Sequence, residues 1–312
     1  MAPNKNLDII SLNCNGFKGN CVYTEKLIKL YDIIHLTETW LTESEQHLFN
    51  FYRKDFQLIF QPAKRRQHGR PFGGTVLMLR KTVINDIKTI IQEDYVTLTQ
   101  INYKNNPLLI GGVYLQSMNS QINQSTCIET YKSQLASITG IIRQFSDIAD
   151  PLIIGDFQTC PDQPSTVRTS QSNVLSKHLS EFMIENNLTP IDIIKGEGPT
   201  YTYHHLSLPN SSYIDHVLVS ASLANFVTNT SVLPPEITNT GDHLPVTASI
   251  QLPPGLRPNI QTDPETDTFD FIPNYLWKNC NFTTKYRDRV SELIENCTEE
   301  DTETMIEIFI TL

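Results

Sequence analysis

The sequence predicts an α/β sandwich in which two mixed sheets are flanked by helices, and three observations carry that expectation. Short apolar runs bounded by turn residues recur along the chain, which is the pattern of buried strands. Three segments show helical periodicity instead. Those segments lie between strand-like runs, while closely spaced runs elsewhere suit antiparallel hairpins.

In chain order, "LDIISL" (7–12) reads as a strand, "TEKLIKLY" (24–31) as a helix and "YDIIHLT" (31–37) as a strand. The runs "GGTVLMLR" (73–80), "VTLTQINY" (96–103) and "PLLIGGVYL" (107–115) continue the strand pattern, before a long helix in "TCIETYKSQLASITGIIRQFS" (126–146). Then come a strand in "PLIIGDF" (151–157), a helix in "SNVLSKHLSEFMIENN" (172–187) and strands in "TYTYHH" (200–205), "YIDHVLVS" (213–220) and "HLPVTASIQL" (243–252). After Leu252 the chain turns rich in Pro, Asp and Thr, so residues 1–252 are expected to form the catalytic domain and 253–312 a linker with a weakly helical, charged tail.

The composition, 39% hydrophobic and 19% charged over 312 residues, allows one large core. The chain contains no apolar run of about 18 residues, so a membrane span is not expected. The N-terminal apolar stretch is too short for a secretory signal, so the expected location is nuclear or cytoplasmic. The six cysteines form no C-x-x-C pair and read as reduced thiols without zinc. A net charge of −10 counts against a uniformly basic nucleic-acid binder, but not against an enzyme that gathers carboxylates around a metal.

"PLIIGDFQTC" (151–160) poses the functional question, because a buried strand ends there in a carboxylate, Asp156. Other runs do the same: Asn13 follows "LDIISL", Glu38 follows "DIIHLT" and Tyr114 closes "LLIGGVY". In "YIDHVLVS" and "GDHLPVTASI" the order reverses, with Asp215, Asp242 and His243 ahead of the strand. If the two kinds of strand run antiparallel, all of these groups share one rim. Each alone reads as a turn or cap residue, and the recurrence is what carries the argument. Carboxylates placed side by side raise one another's pKa unless a cation neutralises them. Oxygen ligands without thiolates favour Mg²⁺, with Mn²⁺ as the alternative, and the chemistry such a set supports is metal-assisted phosphoester hydrolysis.

The ordered segments "SLNCNG", "HLTETWL", "GVYLQS", "IIGDFQ", "SYIDHVLVS" and "GDHLPV" resemble the signatures of the endonuclease/exonuclease/phosphatase superfamily of DNase-I-like and apurinic-site nucleases. Within it, "TETWL", "GRPFGGTVLML" and "PTYTYHHLSLPNSSYIDHVLVS" look most like the endonuclease of LINE-type, non-LTR retrotransposons. The resemblance implies a four-layer fold with mostly antiparallel sheets. It also implies a Mg²⁺-dependent enzyme that nicks DNA and leaves a 3′-hydroxyl, with a reverse transcriptase as a partner domain in a longer polypeptide. By the same likeness Glu38 resembles the main metal ligand, helped by Asn13 and Asp242. Asp156 resembles the group that handles the attacking water, Asp215 the partner of His243, and His243 and Tyr114 the phosphate contacts. Gln158 stands where the family has Asn, Ser117 where relatives often have Asn, and Gly241 where they have Ser. Two alternatives stay open: a phosphatase or phosphodiesterase of the same superfamily acting on a small substrate, and a silent nucleic-acid-binding derivative.

For DNA contact, "AKRRQHGRPFGG" (63–74) is the strongest basic cluster, with Arg65, Arg66 and Arg70 as candidate phosphate contacts. Tyr203 and His204 of "TYTYHHLSLPNSS" and the nearby Ser212 are candidates for base or groove contact, in a segment that resembles the family's target-site hairpin. Trp40 and Phe72 are expected to pack in the core.

Overall fold

The computed structural model describes residues 6–65, 68–118, 123–162, 174–205, 207 and 210–255. Strand β1 (Leu7–Asn13), helix α1 (Cys21–Leu30) and strand β2 (Ile33–Thr37) open the chain, followed by a 3-10 helix (Glu43–Lys54). Strands β3 (Phe56–Gln61), β4 (Thr75–Arg80), β5 (Asn85–Glu93) and β6 (Val96–Tyr103) follow. Next come β7 (Asn106–Tyr114), α2 (Gln124–Gln144), β8 (Asp150–Asp156), α3 (Val174–Glu185), β9 (Leu188–Pro190) and α4 (Ile191–Lys195). The short strands β10 (Tyr203–His204) and β11 (Ser211–Ser212) precede β12 (Asp215–Ser220), α5 (Ala221–Ala224), β13 (Val227–Val232) and β14 (Val246–Ile250).

The result is two mixed six-stranded sheets, ordered β13-β14-β1-β2-β4-β3 and β5-β6-β7-β8-β12-β9, with β10-β11 as a separate ribbon. Each sheet holds one parallel pair, β1 with β2 and β7 with β8. These are the pairs joined through α1 and α2, because parallel neighbours need a crossover long enough for a helix. The other pairings are antiparallel.

Period-two alternation builds the layers. Ile9, Ile33, Leu77, Leu108, Ile110, Leu152, Ile154, Val217 and Val246 meet between the sheets in one buried cluster. The intervening residues point the other way. Ile10, Ile34 and Met78 pack on Leu27 and Ile28 of α1 and on Phe49 of the 3-10 helix. Leu109, Ile153 and Leu218 pack on Tyr131, Leu135 and Ile138 of α2 and Leu179 of α3. Four layers follow, with each central strand buried on both faces.

The sequence reading missed β3, β5 and β13, and it overextended "TYTYHH". Only Tyr203–His204 of that segment is strand. Its neighbour Thr202 turns its hydroxyl to the backbone N–H groups of Ile214 and Asp215 instead, at 3.0 Å each. From residue 256 onward, the expected linker and tail lie outside the described residues.

Candidate active site

The inter-sheet face changes character toward one end. Along β8 its residues are Leu152, Ile154 and then Asp156, and along β12 they are Val219, Val217 and then Asp215. Register places Asp215 opposite Asp156 across the antiparallel pair and Tyr114 beside Asp156 across the parallel one. Asn13 likewise pairs with Thr37, one residue before Glu38. The apolar face of each strand therefore continues in step into a polar rim. Close approach at that rim depends on Gly155, whose φ is +149° and where a Cβ would lie 2.0 Å from the Val113 carbonyl oxygen.

Hydrogen bonds join the rim into one network. Asn13 Nδ2 donates to Glu38 Oε1 at 3.0 Å and to Asp156 Oδ2 at 3.1 Å. The Tyr114 hydroxyl donates to Glu38 Oε1 at 2.9 Å, and Trp40 Nε1 donates to Oε2 at 3.3 Å. The backbone N–H of Gln158 donates to Asp156 Oδ1 at 3.0 Å, from a left-handed turn with φ of +62°. Glu38 and Trp40 also have positive φ, at +50° and +55°. Such conformations cost energy for residues other than Gly, and they cluster here at the strand exits. On the far side, His243 Nδ1 donates to Asp215 Oδ2 at 2.8 Å.

Asp156, Asp215 and His243 are all buried, and one ligand atom from each lies within 4.8 Å of the others. Burial, then the Asp215 charge beside it, pushes the Asp156 carboxyl well above the usual range, against the opposing pull of His243 and the hydrogen bonds from Asn13 and Gln158. Burial alone would lower His243, but the charge and hydrogen bond of Asp215, with Asp156 and Asp242 nearby, raise it to about 10.

This grouping differs from the ligand set expected from sequence. Among the described residues, Glu38 and Asp242 stand outside the close triplet. Both Glu38 oxygens accept from neighbouring donors, and Asp242 Oδ1 accepts from Asn15 Nδ2 at 3.1 Å. Asn13 turns its amide nitrogen to the carboxylates, while its oxygen accepts from Asn15 N at 3.2 Å, so it braces the acids rather than offering them an oxygen.

Several bracing residues escaped sequence reading. Asn20 and Asn239 are hydrogen-bonded at 2.9 Å, and Asn239 Nδ2 donates to the His243 carbonyl at 2.8 Å. Behind the rim lies a second Asp–His pair. His216 Nδ1 meets Asp192 Oδ2 at 2.9 Å and its Nε2 meets the Thr159 carbonyl at 3.1 Å, with His216 and Asp192 wholly buried. Both ring nitrogens of His216 face oxygen atoms, so the ring is pinned on both sides. Together with Tyr131, whose hydroxyl donates to the Phe157 carbonyl at 3.0 Å, it clamps the turn that carries Gln158. The one signal available was an acid, Asp192, inside the apolar run "PIDIIK".

The candidate DNA contacts fall on two sides. Tyr203 pairs through its backbone with His243, and their rings lie 5.1 Å apart. The backbone N–H of His204 donates to the Asp242 carbonyl at 2.9 Å, and Ser212 is the strand partner of Tyr203. The hairpin is therefore a wall of the site. On the other side, Arg65 and Arg70 are exposed and Arg66 lies outside the described residues. The Arg70 guanidinium lies over the Trp40 ring, 3.8 Å from its centre. Trp40 is half-buried, but Phe72, expected in the core, is 42% exposed because its backbone pairs with Lys64 at the edge of the loop.

No family model matches the sequence, and no curated protein matches it. Solved structures do match. AP endonuclease LMAP from Leishmania major superposes with a TM-score of 0.62 at 15% identity, over 81% of this chain and 90% of that one. The 3′ phosphatase NExo from Neisseria, bound to a product DNA hairpin, gives 0.61 at 17% identity, over 79% of this chain and all of that one. An AP endonuclease from Archaeoglobus fulgidus gives 0.57 at 14% identity, over 79% and 100%. The two mixed sheets and their flanking helices are thus those of the DNase-I-like AP endonuclease fold.

Proposed function

We propose that the chain is a Mg²⁺-dependent DNA endonuclease that hydrolyses one phosphodiester and leaves a 3′-hydroxyl, with Mn²⁺ able to substitute. The observation that carries this reading is the continuous network from Glu38 through Asn13 to Asp156, beside the Asp215–His243 pair. The donor set fits a divalent cation: oxygen and imidazole groups, without thiolate, in a place where burial and then the Asp215 charge raise Asp156. Asp156 and Asp215, the close carboxylates, would hold it, with Glu38 joined to Asp156 through Asn13, and once bound it would supply charge neutralisation for the phosphate.

The remaining work falls to the chain's own groups. Asp215 accepts from His243 Nδ1 and so fixes the ring, leaving Nε2 for a phosphate oxygen. Asp156, held by Asn13 and Gln158 and made more basic by its surroundings, takes a proton from the attacking water. The water oxygen bonds to phosphorus, the P–O3′ bond breaks, and O3′ takes a proton from solvent water to leave as a hydroxyl, while Asp156 returns its proton to solvent. The solved structures that share the fold include AP endonucleases and a DNA 3′ phosphatase, which supports DNA as substrate. The narrower reading, an endonuclease encoded with a reverse transcriptase in a non-LTR element, rests on the likeness of "TETWL", "GRPFGGTVLML" and the 200–220 segment.

Supercoiled plasmid provides the test. Purified protein should relax it with Mg²⁺ but not with EDTA, and Asp156→Ala or His243→Ala should be slower by about 10² to 10⁴. A polymerase should extend the nick directly, as a 3′-hydroxyl requires. Equal rates for the wild type and both variants would reject the reading.

A further inference from the structure

Trp40 stands at the exit of β2, half-buried, two positions after Glu38. The reaction just described does not use it, yet its indole N–H points at the Glu38 carboxylate. The two oxygens of that carboxylate are not equivalent. Oε1 accepts from Asn13 Nδ2 at 3.0 Å and from the Tyr114 hydroxyl at 2.9 Å, which takes up both of its lone pairs. Oε2 accepts from Trp40 Nε1 at 3.3 Å, and among the described residues one of its lone pairs remains. Oε2 is therefore the atom that can face a cation or a water bound to one. Service through a bound water agrees with Glu38 standing outside the close triplet, because Mg²⁺ keeps several of its waters.

The indole is seated to hold that direction. Trp40 N donates to the Gly73 carbonyl at 3.1 Å and Thr39 N to the Gly74 carbonyl at 3.0 Å, which ties this stretch to the loop that carries Arg70. Gly16 lies against the benzene part of the ring, where a Cβ would come within 2.4 Å of Trp40 Cε3. The Arg70 guanidinium covers the ring. Residue type matters as well. An indole N–H only donates and does not titrate near neutral pH, so it braces a carboxylate without competing for the metal, as His would.

We infer that Trp40 is a positioning residue of the proposed site. Its N–H aims Glu38 so that Oε2 turns its remaining lone pair to the hydrated cation, and Arg70 and Gly16 keep the indole in place. Arg70, a candidate phosphate contact, thereby gains a second task that needs no DNA. The inference rests on the metal-dependent reading, but one arm of its test uses no metal.

Trp40 and Trp277 are the two tryptophans of the chain, so Trp277→Phe leaves a single indole to follow. In this metal-free chain the proton NMR signal of the indole N–H should move in Glu38→Gln. Growth on benzothienylalanine then replaces the N–H by sulfur at nearly the same shape. Mn²⁺ affinity, read by electron paramagnetic resonance, should fall about 10-fold in that protein and in Trp40→Phe, with the metal-free melting temperature unchanged. Arg70→Lys keeps the charge but not the flat stack. It should weaken Mn²⁺ by up to about 5-fold when the indole is present, and not in the sulfur analogue. Unchanged Mn²⁺ affinity in the analogue and in Trp40→Phe overturns the inference, and so does an indole signal indifferent to Glu38→Gln. A fall in melting temperature that accompanies the loss of affinity in both assigns Trp40 to packing and overturns it too. An indole signal that follows Glu38 in a chain that binds no Mn²⁺ keeps the positioning of Glu38 and rejects the metal reading instead.

Discussion

Gln158 shows how much one residue can disclose and how much it cannot. Its amide was expected in the site, but its left-handed backbone, φ of +62°, was not readable from type alone. Asn tolerates that conformation better than Gln. Gln158→Asn should therefore raise stability by up to about 1 kcal/mol while keeping nicking at least at the wild-type rate; a lower melting temperature would contradict this. Asp156, Asp215 and His243 drew attention because each stands at the end of an apolar run, Asp156 after its strand and the other two before theirs. Asn20, Asn239, Asp192 and His216 were not, since an ordinary polar residue and a brace look alike until the contacts are known. His216 makes no direct contact with the carboxylates of the rim, so it acts as a positioning residue through the 157–159 turn. His216→Asn should lower kcat more than it raises KM. Combined with Gln158→Ala it should be strongly non-additive, with a coupling of about 1 kcal/mol or more. Simple additivity would assign it a general structural role.

At the scale of elements, alternation made the central strands visible and left the edges hidden. β1, β2, β7, β8, β12 and β14 are buried on both faces and read as apolar runs. β5 is largely exposed, and in "NDIKTIIQE" it carries charge where a strand signal would be sought. β13, "VTNTSV", is an edge strand with two exposed positions. The antiparallel placement of β12 against β8 and of β14 against β1, on which the rim depended, follows the expected geometry. The tightest point of that geometry is β7 against β8. Gly155→Ala would drive a methyl group into the Val113 carbonyl from a backbone conformation that only Gly adopts easily. The expected result is a loss of about 2 to 4 kcal/mol, or failure to fold, read by urea denaturation. A neutral outcome would mean that the close β7–β8 approach is not needed.

For the molecule as a whole, a net charge of −10 contrasts with the DNA substrate proposed for it. The charge is unevenly placed: exposed Arg70 sits on Trp40 beside Glu38, while the Tyr203 hairpin lies against His243. The acids leave a mark on global stability. Asp156 and His243 both hold their protons more tightly in the folded chain than in the unfolded one. The contribution of His243 is complete below its ordinary value of 6.5 and is lost as pH rises through about 10. Asp156 acts in the same direction, because its folded value is also raised. Metal-free protein should therefore lose melting temperature as pH rises from about 6.5 to 10, and saturating Mg²⁺ should flatten that slope.

The convergence of acids on one cation is the claim beneath all of these, and direct Mn²⁺ binding tests it. Titration followed by electron paramagnetic resonance should show saturable Mn²⁺ on the wild type, displaced by Mg²⁺ and weakened about 10-fold or more in folded Glu38→Gln and Asp156→Asn. Equal Mn²⁺ affinity in the wild type and both variants would contradict the account.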